Sequence, residues 1–276
     1  MIDIGVMQGR LLPKYKNRFQ AHPVGKWKQE FLIAKNFKLS HIEFILDYNN
    51  LRQNPLIYKG GIEEIKKISI KNNIKIFSIC ADYLMEAPLH SKDNIIREKS
   101  IQIIHNLIKK ASLLNVKDII IPCVDHSSLN TKIKINLFIK SLEQLVPTCE
   151  EYKVNLSLET DLDPNKFSEL LKKIKSKNIK VNYDTGNSAA LGYNPIEELD
   201  NYGHLISVIH IKDRVYKGGS VLLGEGSCRF ENFFFELKKY NYKGIFTMQA
   251  YRDDEGVQIF KQQLDWFTNF LKNSYN

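Results

Sequence analysis

The sequence predicts a (β/α)8 barrel that takes up residues 1–276 as a single domain. Three observations predict it. Short β-branched runs alternate with longer segments of helical spacing, and that alternation builds a parallel sheet, because parallel neighbours need a crossover. The runs number eight, and each is nearly continuous in apolar residues, as strands buried on both faces are. Eight such units close into a ring, for which ~250 residues is an ordinary length. No glycine-rich phosphate loop follows the first strand, which argues against a dinucleotide-binding doubly wound sheet. No long Pro/Gly/Ser linker divides the chain.

The first strand is "IDIGVMQ" (2–8). A long loop follows, "MQGRLLPKYKNRFQAHPVGKW", whose Pro, Tyr, Phe and Trp suit a lid over a pocket. The helical "WKQEFLIAKNF" leads to the second strand, "HIEFIL" (41–46), and "IKIFSIC" (74–80) is the third. After the long helical stretch "NIIREKSIQIIHNLIKKASLL" come "KDIIIPC" (117–123), the helical "KINLFIKSLEQLVPTCEEY", and "VNLSLET" (154–160). The sixth and seventh strands are "IKVNYD" (179–184) and "ISVIHIK" (206–212). "FENFFFELKKY" precedes the eighth, "GIFTMQ" (244–249), and "GVQIFKQQLDWFTNFLKN" is a final helix. The aromatic residues of that helix, Trp266, Phe267 and Phe270, can pack against the barrel's own strands or against a second copy in a homodimer.

Composition excludes several classes. With 43% hydrophobic and 26% charged residues the chain reads as a soluble globular protein. It has neither a cleavable leader pattern nor an apolar run near the ~20 residues of a membrane span, so a cytoplasmic location is expected. The cysteines, Cys80, Cys123, Cys149 and Cys228, lack zinc-finger or thioredoxin spacing and are expected to be reduced thiols. The net charge of +9 comes from lysines spread along helices beside Asn and Ile, as in "IKKISIKNNIKI". Such spreading gives no nucleic-acid face, and an anionic small substrate needs only a few of those charges.

In a barrel of this kind the reacting groups sit at the C-terminal ends of the strands. Read in order, those ends offer Gln8 and Arg10; Glu43 and Asp47; Cys80 and Asp82; Asp125 and His126; Glu159 and Asp161; Asp184 and Asn187; His210, Lys212 and Asp213; and Gln249. An Asp just after a strand is often a helix cap, the expectation for Asp47, Asp161 and Asp163. His41 lies at the wrong end of its strand and His105 inside a helix, so both are expected to be bystanders. Glu159, Asp184 and His210 stand out as a set, because strands five, six and seven bring them to one side of the mouth. Two adjacent buried carboxylates call for a counter-charge. Oxygen and imidazole ligands together suit one divalent metal ion, Mn2+, Mg2+, Co2+ or Zn2+.

The stretches "LSLETDL", "NYDTGNSAALG", "HLISVIHIKDR" and "LGEGSCRFENFFFELKKYNYKGIF" run almost continuously from residue 154 to 256. With them the chain resembles the xylose-isomerase-like TIM barrels, a sugar isomerase and epimerase superfamily that also contains endonuclease IV. It is most similar to the L-ribulose-5-phosphate 3-epimerase and hexulose-phosphate isomerase group. The resemblance implies a metal held by Glu159, Asp184, His210 and the residue at 249, with the two family glutamates moving protons. Position 249 departs from that pattern. Its glutamine can still offer an oxygen to a metal, but it has no basic state near neutral pH.

With Glu159 as the sole base, one-base isomerisation through an enediolate is the more economical expectation, with epimerisation requiring a substitute acid such as Asp82, Glu43 or Asp125. Two other readings stay open: a degenerate barrel that only binds sugar, and an endonuclease IV-like enzyme, which would need further His and Glu ligands at the strand ends. For a phosphorylated or otherwise anionic sugar, Gln8, Arg10, His126, Asn187, Lys212 and Arg214 are the expected contacts. "GEG" at 224–226 is either a phosphate-binding turn or simple loop geometry, and Glu225 is expected to brace it.

Overall fold

The computed structural model describes residues 3–275, so the Ile2 end of the expected first strand lies outside the described residues. Eight parallel strands close into a barrel: Ile4–Met7, His41–Ile45, Ser78–Cys80, Asp118–Cys123, Asn155–Thr160, Ile179–Asp184, Ile206–Ile211 and Ile245–Met248. They neighbour one another in chain order, with the eighth closing on the first. The third strand is shorter than its apolar run, and Lys75 contributes only an isolated bridge to His41.

Helices bind the outer face through an apolar layer that includes Phe31, Ile104, Leu142, Leu170, Phe234 and Phe267. Their ends are fixed by local chemistry. Asp163 accepts the Lys166 amide at 3.1 Å with Pro164 in the first turn, and Asn194 with Pro195 repeats the device. Strand six is followed by two short helices, Thr185–Leu191 and Pro195–Tyr202, because Gly192 (φ 76°) ends the first and Asn194 starts the second. The last helix spends its aromatics on its own chain: Trp266 packs against Phe230 and Phe270, and Phe267 against Phe234 and Phe246. None of the helices is long and apolar enough to cross a membrane among the described residues.

The barrel interior is largely polar. Alternation along the strands turns His41 and Glu43, Ser78, Ser157, Asn182, His210 and Thr247 inward, and all are buried. The bystander reading of two histidines follows from their partners. His41 sits low in the barrel between Ser40 and Thr247, and His105 meets Thr148 on a helix surface. Gly5 is required beside His41, since a Cβ there would fall inside the imidazole ring's contact distance. Gly5→Ala is therefore expected to destabilise the protein by about 1–3 kcal/mol through overpacking, measurable by denaturant unfolding.

Candidate active site

Strand register brings the key residues together. Asp184 lies directly beside His210 across strands six and seven, and Glu159 stands at the end of strand five, level with Pro122. One ligand atom from each of Glu159, Asp184 and His210 lies within 4.8 Å of the others, and all three residues are buried. The His210 Nδ1 is 3.6 Å from Glu159 Oε2 and 4.0 Å from Asp184 Oδ2.

The second-layer contacts decide what each atom can do. Asp184 Oδ1 caps the helix that follows, accepting the Asn187 amide at 2.7 Å, while Oδ2 is buried without a hydrogen-bond partner. Asn187 donates to Glu159 Oε1 and Asn182 to Glu159 Oε2, both at 2.8 Å. The Asn182 amide nitrogen also lies 3.0 Å from His210 Nδ1, a contact in which that ring nitrogen accepts when the imidazole is neutral. On the ring's other side Nε2 stands 2.9 Å from Glu43 Oε1, with both side chains fully buried. Ser78 donates to Glu43 Oε2 at 2.6 Å. Glu43 thus lies behind His210 in charge contact with Nε2 rather than in a directed hydrogen bond, and it favours the neutral tautomer protonated there, whose Nδ1 faces the two carboxylates.

This donor set fits a divalent ion. An unpartnered carboxylate oxygen, a second carboxylate and an imidazole nitrogen converge there, with Lys212 Nζ 3.6 Å from Asp184 Oδ2. Burial, reinforced by Asp184, raises the Glu159 carboxyl to about 7 against the pull of His210 and Lys212. Burial works to lower the His210 imidazole, but Glu43 foremost, with Glu159 and Asp184, carries it up to about 9. Burial also lifts Glu30, beneath the first loop, to about 8.

These shifts have a common sign. Above about pH 6.5, the ordinary histidine value, the folded metal-free protein holds more protons on Glu159, His210 and Glu30 than the unfolded chain does. Its stability therefore falls as pH rises through that range. A metal held by Glu159, Asp184 and His210 must displace the protons on Glu159 and His210. Metal-free protein is expected to lose thermal stability between about pH 6.5 and 8.5, while the increment given by Mn2+ grows over the same interval. Thermal melts with and without Mn2+ check this, and an increment that shrinks with pH would count against metal binding at these groups.

The first loop covers the mouth, as its composition suggested. Glu30 accepts the Gly9 and Leu11 amides at 2.6 and 3.4 Å, and Arg252 donates to the Gly9 and Leu12 carbonyls at 2.5 and 2.6 Å. Arg18 grips Asp47 with two hydrogen bonds of 2.7 and 3.0 Å, so Asp47 anchors the loop and caps no helix. Asp161 likewise accepts from Ser128 at 2.7 Å, and only Asp163 of the three expected caps serves as one.

Gln20 reaches the centre of the mouth. Its amide nitrogen donates to Asp82 at 2.7 Å, and its oxygen accepts from Gln249 at 3.0 Å. Gln249 in turn accepts from Lys212 at 3.4 Å. Position 249 thus both accepts and donates, which an amide does and an ionised carboxylate does not.

The remaining expected contacts divide. Lys212 and Arg214 both reach Asn187 Oδ1, at 3.3 and 3.0 Å, in the mouth. Gln8 is buried, bonding His22 and the Ile45 amide at 2.9 and 3.1 Å, which holds strand two and the loop together. His126 is exposed on the rim, 3.5 Å from Glu86, and is not gathered with Glu159, Asp184 and His210. Asp213 takes the amides of Gly224, Gly226 and Cys228 at 2.9, 3.0 and 3.1 Å. Asp213 therefore braces the "GEG" turn, while Glu225 is exposed and makes no side-chain hydrogen bond among the described residues. Those amides face a carboxylate, and a phosphate does not find them free.

Asn182, Gln20 and the position of Glu43 behind the imidazole went unread in the sequence. Alternation with Asp184 in "NYD" is the one signal that puts Asn182 on the inward face.

Comparison with known proteins adds to this geometry. Residues 31–270 match a family model described as xylose isomerase-like TIM barrel. A putative L-ribulose-5-phosphate 3-epimerase of Haemophilus influenzae is 28% identical over 266 residues, covering 90% of this chain and 92% of that protein. Among solved structures, a D-psicose 3-epimerase from Clostridium cellulolyticum, crystallised with D-tagatose, superposes with a TM-score of 0.77 at 15% identity and full coverage of both chains. A protein named IOLI, solved with a bound zinc, gives 0.78 at 15% identity, covering 100% of this chain and 99% of its own.

Proposed function

We propose, from the premise that this chain belongs to the xylose isomerase-like TIM barrel family, that it is a metal-dependent isomerase or epimerase acting on a sugar through an enediolate, with Glu159 as the base. The observation that carries the reading is the buried convergence of Glu159, Asp184 and His210, with Asp184 Oδ2 left unpartnered. Those three residues, with the Gln249 amide oxygen as a fourth donor, would hold one divalent ion. Such an ion supplies Lewis-acid stabilisation of negative charge on substrate oxygens.

The protein's own groups handle the proton. Glu159 Oε2 faces His210, so Oε1, steadied by Asn187, is the atom that takes a proton from the sugar carbon and returns it. Its raised pKa, near 7, suits a group that must both accept and release a proton at neutral pH. Asn182 keeps the second oxygen in line, and the closed first loop limits water at the site. Of the substitute acids, Glu43 is committed to His210 and Ser78. Asp125 is exposed on the rim, and Asp82 is occupied by Gln20. One carboxylate with no free partner favours transfer between neighbouring carbons on one face, which is isomerisation. Arg10, Lys212, Arg214 and Asn187 would contact the substrate, a phosphorylated or otherwise anionic sugar.

Incubation with ketose and aldose phosphates and free sugars in deuterated water, with and without added Mn2+, tests the proposal. Metal-dependent deuterium incorporation at a carbon next to the carbonyl is expected. Tight metal binding without exchange on any sugar of a broad panel would instead indicate a sugar-binding barrel.

A further inference from the structure

Asp82 begins the short helix Tyr83–Glu86, yet its side chain caps none of that helix's amides. It accepts instead from the first loop, taking the Gln20 side-chain nitrogen at 2.7 Å. An ionised carboxylate can only accept, so this contact fixes how the Gln20 amide lies: nitrogen toward Asp82, oxygen away. That oxygen accepts twice, from Gln249 Nε2 at 3.0 Å and from Arg10 at 3.4 Å. Arg10 can only donate, and it enforces the same orientation.

The direction passes on to position 249. Gln249 Nε2 is committed to the Gln20 oxygen and lies 3.3 Å from the Met7 sulfur. Its Oε1 therefore points the other way, accepting from Lys212 Nζ at 3.4 Å, and the same ammonium lies 3.6 Å from Asp184 Oδ2. Carboxylate, two amides and a cation form one chain with a single direction, and its cationic end adjoins Asp184. An ionised glutamate at 249 would break it. Such a residue has no N–H for the Gln20 oxygen, and a reversed Gln20 would set oxygen against Asp82 and nitrogen against Arg10. The amide at 249 is matched to the loop that covers it.

We infer that Gln20 and Asp82 are positioning residues that hold the Gln249 amide with its oxygen presented to a cation beside Asp184. In the metal-free protein that cation is Lys212. This rests on the proposed role of Gln249 as a fourth metal donor and deepens it. Either oxygen of a carboxylate serves a metal, whereas an amide serves only if its oxygen, not its N–H2 group, is turned inward. Outer-layer partners supply that orientation.

Calorimetric titration of Mn2+ into chelator-treated protein at pH 8 tests the inference without turnover. Asp82 is ionised there: burial, with Asp47 beside it, raises its carboxyl only to about 6 against the Gln20 hydrogen bond, Arg18 and Arg10. Gln249→Ala examines the donor itself and is expected to weaken Mn2+ binding. Gln20→Met keeps bulk and neutrality but breaks the chain, and should weaken binding about tenfold, as loss of an outer-layer partner does. The double variant Gln20→Glu, Asp82→Asn keeps the net charge and the direction, because a carboxylate at position 20 accepts from both neighbours. It is expected to restore native affinity.

The same changes made in Gln249→Ala separate orientation from charge and loop packing. With no amide left to orient, neither Gln20→Met nor the double variant should move Mn2+ affinity further. Effects of native size in that background would overturn the inference, as would a double variant that binds no better than Gln20→Met. Native affinity in Gln20→Met beside weakened Gln249→Ala would overturn the positioning role and leave the fourth donor standing. Native affinity in Gln249→Ala would remove the donor and the positioning role together.

Discussion

Glu159→Gln is expected to lower deuterium incorporation into substrate by about two to four orders of magnitude, the usual contribution of a positioned general base. The substitution keeps the side chain's volume and an oxygen for the metal, but removes the basic atom. Its amide nitrogen must also meet Asn182 or Asn187, both of which donate to the native carboxylate at 2.8 Å, so one of those contacts becomes donor against donor. The loss could therefore arise from chemistry or from a weakened metal site, and metal content measured on the same sample separates the two. Full metal occupancy with exchange lost assigns the proton transfer to Glu159. Exchange at the native rate in metal-loaded Glu159→Gln would remove Glu159 from that role and move attention to Asp82, whose carboxyl burial raises to about 6 against the hydrogen bond from Gln20.

The fold was legible because its determinants are local. Strands buried on both faces read as apolar runs, and helix starts carry their own chemistry in Asp93, Thr131, Asp163 and Asn194. The convergence of Glu159, Asp184 and His210 was legible for a related reason: barrel closure fixes the ends of strands five to seven once the strands are assigned. What could not be read depends on the path of a loop or on depth within the barrel. Gln20 lies 12 residues beyond Gln8, and nothing in its neighbourhood signals that it turns in to meet Asp82 and Gln249. Glu43 looked like one more carboxylate at a strand end, yet its position opposite Met7, deep in strand two, sets it behind His210. The "GEG" turn was open to two readings, a phosphate-binding turn or simple loop geometry, and only the folded loop reveals that Asp213 consumes its amides. Position 249 is the mixed case. Its departure from the family pattern was visible in sequence, but its double duty as acceptor from Lys212 and donor to Gln20 is a property of the assembled mouth.

Glu43→Ala is expected to act on both metal affinity and stability, and the two effects carry different pH signatures. With the carboxylate gone, the anion in charge contact with His210 Nε2 is lost, and with it the bias toward a neutral ring protonated there and free at Nδ1. Loss of such an outer-layer partner costs about 10- to 100-fold in metal affinity. In the metal-free protein the same change strands a buried imidazolium. Removing one partner of a buried ion pair costs about 3–5 kcal/mol, and the pair here is fully buried at 2.9 Å. Because the folded imidazole titrates near 9, above its ordinary value, the pair's stabilisation is complete below about pH 6.5 and fades as pH rises toward 9. The stability gap between native and Glu43→Ala proteins should thus be widest near pH 6 and narrow toward pH 9. Urea unfolding across that range, paired with Mn2+ titration, measures both. Glu43→Gln, which keeps an acceptor oxygen beside Nε2, should recover much of the metal affinity while still lowering the imidazole pKa. If Mn2+ binds Glu43→Ala as tightly as the native protein, His210 does not ligate through the nitrogen that Glu43 leaves bare, and the site must be redrawn without it.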